Sequence, residues 1–190
     1  FPEYYSRFEK AARETEGVTL TWEGHFIDPL FTHTTTGFTR PGDEEHPYLA
    51  SVSCVHDPEE EGFVQEMIMQ PEEAAKRVSA IPAGDGSFRT IPPEAFPEQV
   101  QIISRDEAGY ALQLQIGGFP FNGEEVRLAL GLPSACFELN RHGSDVRFTV
   151  RGRGHGWGLS QTGAQALAED GWSAEAILEY FYTGISFSSE

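Results

Sequence analysis

The stretch 150–172, VRGRGHGWGLSQTGAQALAEDGW, changes abruptly from one kind of local structure to another. Glycine stands at every second position from 152 to 158, and alanine, leucine and glutamine then follow at helical spacing. The preceding run VRFTV is typical of a strand, whereas SQTGAQALAE is typical of a helix that begins near Ser160. The sequence therefore predicts a strand, a glycine-rich crossing and a helix in direct succession.

This alternation of glycines leaves one face of the backbone without side chains. Such a backbone can adopt positive φ and can approach a ligand or another element closely. The helix start offers free N–H donors, so we predict that His155, Ser160 and Gln161 surround a small polar concavity. The glycines that would set the loop geometry are Gly154, Gly156 and Gly158. Two interpretations remain open at this point: a ligand site, or a tight packing turn in which His155 is structural.

Common nucleotide, hydrolase and metal motifs do not fit this stretch. A phosphate-binding loop of the Walker type needs Gly-Lys-Ser/Thr, and no lysine occurs here. The dinucleotide fingerprint needs a glycine where Trp157 or Leu159 stands. A nucleophile elbow fails because Thr162 occupies the position of its second glycine. No HExxH zinc motif is present.

The composition narrows the class of partner. The chain has 190 residues with 13 basic and 30 acidic side chains, for a formal charge of -17. Such a surface repels phosphate backbones and anionic headgroups, so we expect neither nucleic acid nor an anionic lipid surface as partner. An apolar run of the roughly 20 residues that cross a bilayer is missing as well. The chain starts FPEYY without Met or a signal peptide, so we expect a longer protein.

The cysteines and the order of predicted elements complete the outline. Cys54 and Cys136 could form one disulfide or none, and we expect two buried thiols. The predicted segments are a helix over 1–16, a hairpin and loop over 17–60, a helical connector over 61–98, and a β-meander, glycine-rich turn and two helices over 99–190. The fold class is α+β: a mainly antiparallel sheet or small barrel with two C-terminal helices and a partial N-terminal helix.

The run GHGWGLSQTGAQALAEDGWSAEAILEYFYTG resembles the C-terminal signature of the stage II sporulation protein D family, the SpoIID/LytB amidase-enhancer family. The signature reads Gly-His-Gly-x-Gly, a hydrophobic residue, Ser-Gln-x-Gly-Ala, and a later Tyr-Tyr-x-Gly. Upstream, THTTTGFT is similar to the family's His-containing loop, with Phe38 in place of its second glycine. HPYLASV and GEEVRLALGLPSACFEL match further family patterns. The resemblance thus covers most of the chain and adds His33 and Tyr48 to the predicted substrate-binding residues.

The resemblance implies processing of peptidoglycan. Family members that cut glycan resemble lytic transglycosylases, which cleave between N-acetylmuramic acid and N-acetylglucosamine and leave 1,6-anhydro ends. One carboxylic acid protonates the leaving oxygen, whereas ordinary glycosidases need two carboxylates. The family's catalytic glutamate lies in an N-terminal stretch that has no counterpart here, so we expect no catalytic residue in this chain and an acid upstream of Phe1. Glu66 and Glu138 rank below that missing glutamate as acids.

The resemblance also carries expectations about the binding partners and the cellular location. It implies glycan strands as the ligand, a cell-wall amidase as an optional partner, and an extracytoplasmic location. It predicts no cofactor or metal in this chain, although a metal site upstream is possible within the family. The alternative function is a non-catalytic amidase enhancer or wall-binding module, and a generic structural domain is a third hypothesis.

Overall fold

The computed structural model describes residues 2–189, with side chains from residue 4 to residue 188. Five α-helices lie in this region: α1 Pro2–Glu14, α2 Pro71–Ser79, α3 Gly123–Leu130, α4 Gln161–Glu169 and α5 Ala174–Phe181. The strands are β1 Val18–Trp22, β2 His25–Phe26, β3 Phe31–Thr32, β4 Val64–Met69, β5 Val100–Arg105, β6 Ala111–Ile116, β7 Phe119–Asn122, β8 Phe137–His142, β9 Asp145–Arg151, β10 Leu159–Ser160 and β11 Ser186–Ser189. The α+β class is confirmed.

Two expectations refer to Phe1, which lies outside the described residues. The N-terminal helix, predicted over 1–16, is described as α1 from Pro2 and ends at Glu14, two residues earlier than expected. The catalytic acid is expected upstream of Phe1 and is therefore outside this sequence altogether. Its existence stays a prediction.

The strands form four small sheets. Three are antiparallel, with orders β11-β1-β2, β4-β9-β8 and β5-β6-β7, whereas β3 and β10 make a short parallel pair. No closed barrel forms within the described residues, so the barrel alternative is wrong and the open antiparallel sheets are confirmed. Strand β11 follows the two C-terminal helices and pairs with β1, which ties the first and last strands together.

Two expected strand or connector segments differ in the structure. The alternating apolar residues of EVRLAL predict a strand of the meander over 99–190. The run is helix α3 instead, because Asn122 caps it by accepting from the Glu124 N–H at 2.8 Å and Gly131 ends it in the left-handed conformation. Apolar residues four apart, Val126 and Leu130, then face the core. The connector over 61–98 holds strand β4 as well as the predicted helix at Pro71.

The main core lies where the β4-β9-β8 and β5-β6-β7 sheets pack with α2 and α3. Phe137 and Phe148 meet edge to face there, with ring centroids 6.2 Å apart. A second, smaller cluster combines α5 with residues that precede β4, among them Tyr48, Leu49 and Cys54. The N-terminal helix α1 packs on neither cluster, and its Phe8 side chain is 75% exposed.

Candidate functional site

The glycine-rich turn joins β9 to β10 and packs directly on the segment 30–35. Gly152, Gly154, Gly156 and Gly158 all have positive φ, between 70° and 107°. A Cβ at Gly154 would overlap the Thr32 hydroxyl, and one at Gly158 would overlap the Leu30 carbonyl oxygen. The alternating glycines are therefore required by the close approach of another element of the protein.

Backbone hydrogen bonds fix this contact along its length. The Arg153 N–H donates to the Thr34 carbonyl at 2.8 Å, and the Thr34 N–H returns a bond of 3.0 Å. Farther along, the Leu159 N–H donates to the Leu30 carbonyl at 3.0 Å. The side chains of His155 and Trp157 are half-buried. The turn thus presents His155 and Trp157 on a rigid backbone.

The His155 ring is stacked on Trp157, with centroids 5.6 Å apart and planes inclined by 30°. Its Nδ1 accepts the Trp157 backbone N–H at 3.1 Å, so the neutral ring carries its proton on Nε2. Burial lowers the pKa of His155; the Glu124 carboxylate opposes this, and the Arg127 and Arg40 cations add to it. At neutral pH His155 is consequently a hydrogen-bond donor rather than a proton source.

Ser160 and Asp57 form a buried polar node at the start of α4. The Ser160 hydroxyl accepts from the Gly163 N–H at 3.1 Å and donates to Asp57 Oδ2 at 2.7 Å. Thr35 donates to the same oxygen from its N–H and its hydroxyl, at 2.6 and 2.7 Å. Asp57 is 0% exposed, and its Oδ1 has no hydrogen-bond partner among the described residues. Burial raises the pKa of Asp57 above its ordinary value, against the hydrogen bonds from Thr35 and Ser160.

An open groove of about 470 Å³ runs beside α4, within the size range of small-ligand sites. We call it the α4 groove. Its lining residues are His33, His56, Glu59, Glu60, Gln161, Thr162, Gln165, Ala166 and Glu169. His33 is anchored by a 2.7 Å contact from its Nδ1 to the Thr34 hydroxyl, which in turn contacts the Thr162 hydroxyl at 3.0 Å. The groove therefore combines neutral hydrogen-bonding side chains with an acidic rim.

The structure brings together only part of the predicted site. His33 and Gln161 line the α4 groove, whereas His155 does not belong to its lining. Ser160 is buried and caps α4. Its hydroxyl donates to Asp57 and accepts from the Gly163 N–H, so it is not available to a ligand. Tyr48 is 5% exposed, and its hydroxyl exchanges hydrogen bonds with the Asp28 backbone. Ser160 and Tyr48 thus support the site from within, and ligand contact by the other three residues remains a prediction.

Glu66 and Glu138 stand on strands and point to solvent. The sequence predicts Glu66 on a solvated helix face, but it is on β4 and lies 3.5 Å from Arg147. Glu138 is on β8 and lies 3.0 Å from Arg151. Both face the same partner, Thr149 of β9. A carboxyl kept protonated as a catalytic acid is usually desolvated, and these two are exposed. Their low rank as acids agrees with this placement.

Two buried charged residues near the candidate site were absent from the sequence prediction. Asp57 lies in the acidic run HDPEEEG, where nothing in the pattern separates it from its exposed neighbours. Arg40 follows the Thr-rich loop and is 3% exposed, with its guanidinium between several partners. A local sequence signal for either is lacking, because the hydrogen-bond partners of the Asp57 side chain lie 22 and 103 residues away along the chain and those of the Arg40 side chain lie 66 to 115 residues away.

The remaining chemical expectations concern cysteines, metals and membranes. Cys54 and Cys136 are free, buried thiols, which confirms that expectation, and burial raises the pKa of Cys54 to about 12. Within residues 2–189, no group of three or more His, Cys, Asp or Glu side chains is arranged to hold a metal ion. Across the same residues, every helix is too short or too polar to cross a membrane.

Comparison with known proteins agrees with the resemblance drawn from the motifs. Stage II sporulation protein D of Bacillus amyloliquefaciens is 29% identical over 186 residues, and that of Bacillus subtilis strain 168 is 29% identical over 182 residues. These matches cover 96% and 94% of this chain, but 51% and 50% of the relatives. The amidase enhancer of Bacillus subtilis strain 168 is 23% identical over 232 aligned positions, covering 97% of this chain and 33% of that protein.

The resemblance to the stage II sporulation protein D family is thereby confirmed. No family model matches the chain. The chain spans about half the length of the sporulation relatives it matches and a third of the amidase enhancer.

Proposed function

We propose that this chain binds peptidoglycan glycan strands as part of a protein that resembles a lytic transglycosylase. The observation that carries the proposal is the α4 groove, where the motif residue Gln161 and the loop residue His33 meet in one open cavity. Two separate stretches of the family pattern, 128 residues apart, supply these side chains. Their names also place the relatives in sporulation and in enhancement of an amidase, which supports a cell-wall role outside the cytoplasm.

The chemistry of the groove suits a neutral sugar. Gln161, Thr162 and Gln165 offer amide and hydroxyl groups, which pair with the hydroxyl and acetamido groups of amino sugars. Among the described residues that line the groove, none is a lysine or arginine that would select phosphate. Although the chain is strongly acidic, recognition of sugar hydroxyls depends on local donors and acceptors rather than on net charge.

We propose that the α4 groove does not supply the acid for bond cleavage. Glu59, Glu60 and Glu169 line it but are exposed. Asp57 has a raised pKa, yet it is sealed and cannot reach a substrate oxygen. General acid catalysis requires an acid within hydrogen-bond reach of the leaving oxygen. We therefore propose that a glutamate upstream of Phe1 provides the proton and that this chain supplies binding and orientation.

The second candidate function is a non-catalytic amidase enhancer, which the similarity to the Bacillus subtilis amidase enhancer favours. In that function the chain would hold glycan for a separate wall amidase. Both functions need glycan binding, and they differ in whether the full-length protein cuts glycan.

Digestion of peptide-free glycan strands separates the two. We expect no 1,6-anhydro ends by mass spectrometry from the 190-residue chain and clear 1,6-anhydro ends from the full-length natural protein. Anhydro products from the short chain would show that an acid within it suffices. Glycan binding without cleavage by the full-length protein, together with stimulation of an amidase, would favour the enhancer. Absence of binding by both forms would reject both functions.

A further inference from the structure

Arg40 is the most heavily partnered buried cation in the described part of the chain. Its Nε donates to Asp106 Oδ2 at 2.6 Å, and its Nη1 donates to Glu124 Oε1 at 3.0 Å. The same Nη1 lies 3.1 Å from the carbonyl oxygen of His155. Arg40 is 3% exposed. Charge-assisted hydrogen bonds to two carboxylates hold its side chain in one orientation.

The flat face of the guanidinium is also used. Its central carbon lies 3.8 Å from the centroid of the Trp157 ring and 4.8 Å from that of Tyr110. Stacking of this kind depends on the planar, delocalised cation and is not reproduced by a lysine. The Arg40 backbone N–H adds a 2.9 Å bond to the Gly156 carbonyl. Arg40 therefore contacts each of the three residues from 155 to 157.

The anchors of Arg40 come from elsewhere in the fold. Asp106 lies in the turn between β5 and β6, where its other oxygen accepts the Tyr110 N–H at 2.9 Å. Glu124 lies in the first turn of α3 and also binds Arg127 Nε at 2.7 Å. Arg40 thus connects the His155–Trp157 pair to the β5–β6 turn and to helix α3.

From this geometry we infer that Arg40 is a positioning residue that holds the stacked His155–Trp157 pair in the orientation used for glycan. The inference rests on the proposed function for its ligand. It assigns Arg40 no contact with substrate, since the side chain is buried beneath the turn. We call the contacts of Arg40 with residues 155 to 157 the clamp. Because a small misplacement of binding groups has a large effect on bound geometry, loss of the clamp should weaken glycan binding by about tenfold.

The test is the substitution Arg40→Lys, with Arg105→Lys as matched control. Arg105 also ties two backbone carbonyls, donating to Gly109 at 2.7 Å and to Phe137 at 2.6 Å, but it does not contact the turn. Lysine keeps the positive charge but lacks the several N–H donors and the planar face of the guanidinium. We expect Arg40→Lys to shift the NMR signals of the His155 ring and the Trp157 indole N–H in the folded protein. The control should leave these signals in place.

The second arm measures the affinity for peptide-free glycan strands. We expect Arg40→Lys to bind about tenfold more weakly and Arg105→Lys to bind as the wild type does. Unshifted His155 and Trp157 signals in Arg40→Lys would overturn the clamp. Shifted signals with unchanged affinity would overturn its role in binding. A wild-type chain that does not bind would reject the proposed function together with that role, while the NMR arm still decides whether the clamp exists.

A third variant covers the case in which Arg40→Lys does not fold. Asp106→Asn leaves Arg40 in place and removes the charge of the anchor that binds its Nε at 2.6 Å. Asp106 is chosen over Glu124 because the Glu124 carboxylate acts directly on the pKa of His155. We expect the same His155 and Trp157 signals to shift in the same direction by a smaller amount. Signals at their wild-type positions in Asp106→Asn would count against the clamp.

Discussion

Two halves of the molecule are held together by different interactions. The apolar half comprises β4 to β9 with α2 and α3, and its core consists of aliphatic and aromatic side chains. The polar half comprises residues 30–57 with the glycine-rich turn, α4 and α5. It has a smaller apolar cluster but holds nearly all of the buried polar side chains in the described part of the chain: Thr32, Thr34, Thr35, Thr39, Arg40, Asp57 and Ser160.

The apolar half mainly provides stability, whereas the polar half fixes the positions of particular groups. Apolar cores tolerate exchange of similar side chains, because burial is not directional. A buried hydrogen-bond network fixes one arrangement, and each lost partner leaves a polar group unsatisfied. The predicted ligand residues His33, His155 and Gln161 lie in the polar half, where backbone hydrogen bonds fix the glycine-rich turn against the segment 30–35. Each half can be tested separately, beginning with the largest expected effect.

Truncation of the main core should cost the most stability. Phe148 is fully buried and packs edge to face on Phe137. Phe148→Ala should lower the free energy of unfolding by about 3–5 kcal/mol, as large-to-small changes of core aromatics do. Urea unfolding measures the loss. A loss below about 1 kcal/mol, the scale of a tolerated core exchange, would mean that the core does not depend on this contact.

Crowding of the glycine-rich turn should come next. Gly158→Ala combines a left-handed backbone, costing about 1–2 kcal/mol, with overpacking against Leu30, costing about 1–3 kcal/mol. Gly143 is the matched control, since it has φ of +64° and open space around it. Gly143→Ala should show only the backbone cost. Equal losses of unfolding free energy in the two variants would contradict close packing of the turn.

The buried carboxyl should give stability a distinct pH dependence. Because the pKa of Asp57 is raised from 3.8, the folded state retains this proton to higher pH than the unfolded state. Its contribution is complete below the ordinary pKa and is lost as pH rises through the folded pKa. The unfolding free energy of the wild type should therefore fall relative to Asp57→Asn as pH rises from about 4.

Asp85 provides the control of opposite sign. Hydrogen bonds from Ser87 lower the pKa of Asp85, so its contribution is present above the ordinary value and is lost as pH falls. Asp85→Asn should thus change the slope of stability against pH in the other direction. Parallel slopes for the wild type and Asp57→Asn would show that Asp57 titrates normally.

Substitution in the α4 groove should have the smallest effect on stability. Gln161 is exposed, so Gln161→Ala should change the unfolding free energy by less than about 0.5 kcal/mol. We expect it to weaken binding of glycan strands, because an amide partner is lost. Gln101→Ala, at an exposed position of β5, is the matched control and should bind normally. A Gln161→Ala chain with wild-type affinity would remove this residue from the site.

Much of the fold could be predicted from local patterns, and the errors have physical causes. Capping and periodicity predicted α2, α4 and α5, and the Glu23-Gly24 turn predicted the β1–β2 hairpin. The strand predicted for EVRLAL was wrong, because the alternation of apolar residues was given more weight than the helix caps Asn122 and Gly131. Strand β11 could not be foreseen, since it is stabilised by pairing with β1 more than 160 residues away.

The sequence named residues of the candidate site but not which of them are accessible. Gln161 and His33 share the α4 groove, whereas His155 is not in its lining, and ligand contact stays a prediction for all three. The sequence could not distinguish a hydroxyl that faces a ligand from one that caps a helix, as at Ser160, or from one that binds the backbone, as at Tyr48. Burial of Asp57 and Arg40 arises from tertiary contacts, for which one sequence carries no local signal.

The most direct test of glycan binding by the polar half is chemical-shift mapping with peptide-free glycan strands on the 190-residue chain. We expect perturbed backbone amides to cluster at His33, Gln161, Thr162 and Gln165, with a second group at His155 and Trp157. Amides of β5 to β7 should remain unchanged. Perturbations confined to the apolar half, or the absence of any at saturating glycan, would contradict the proposed site.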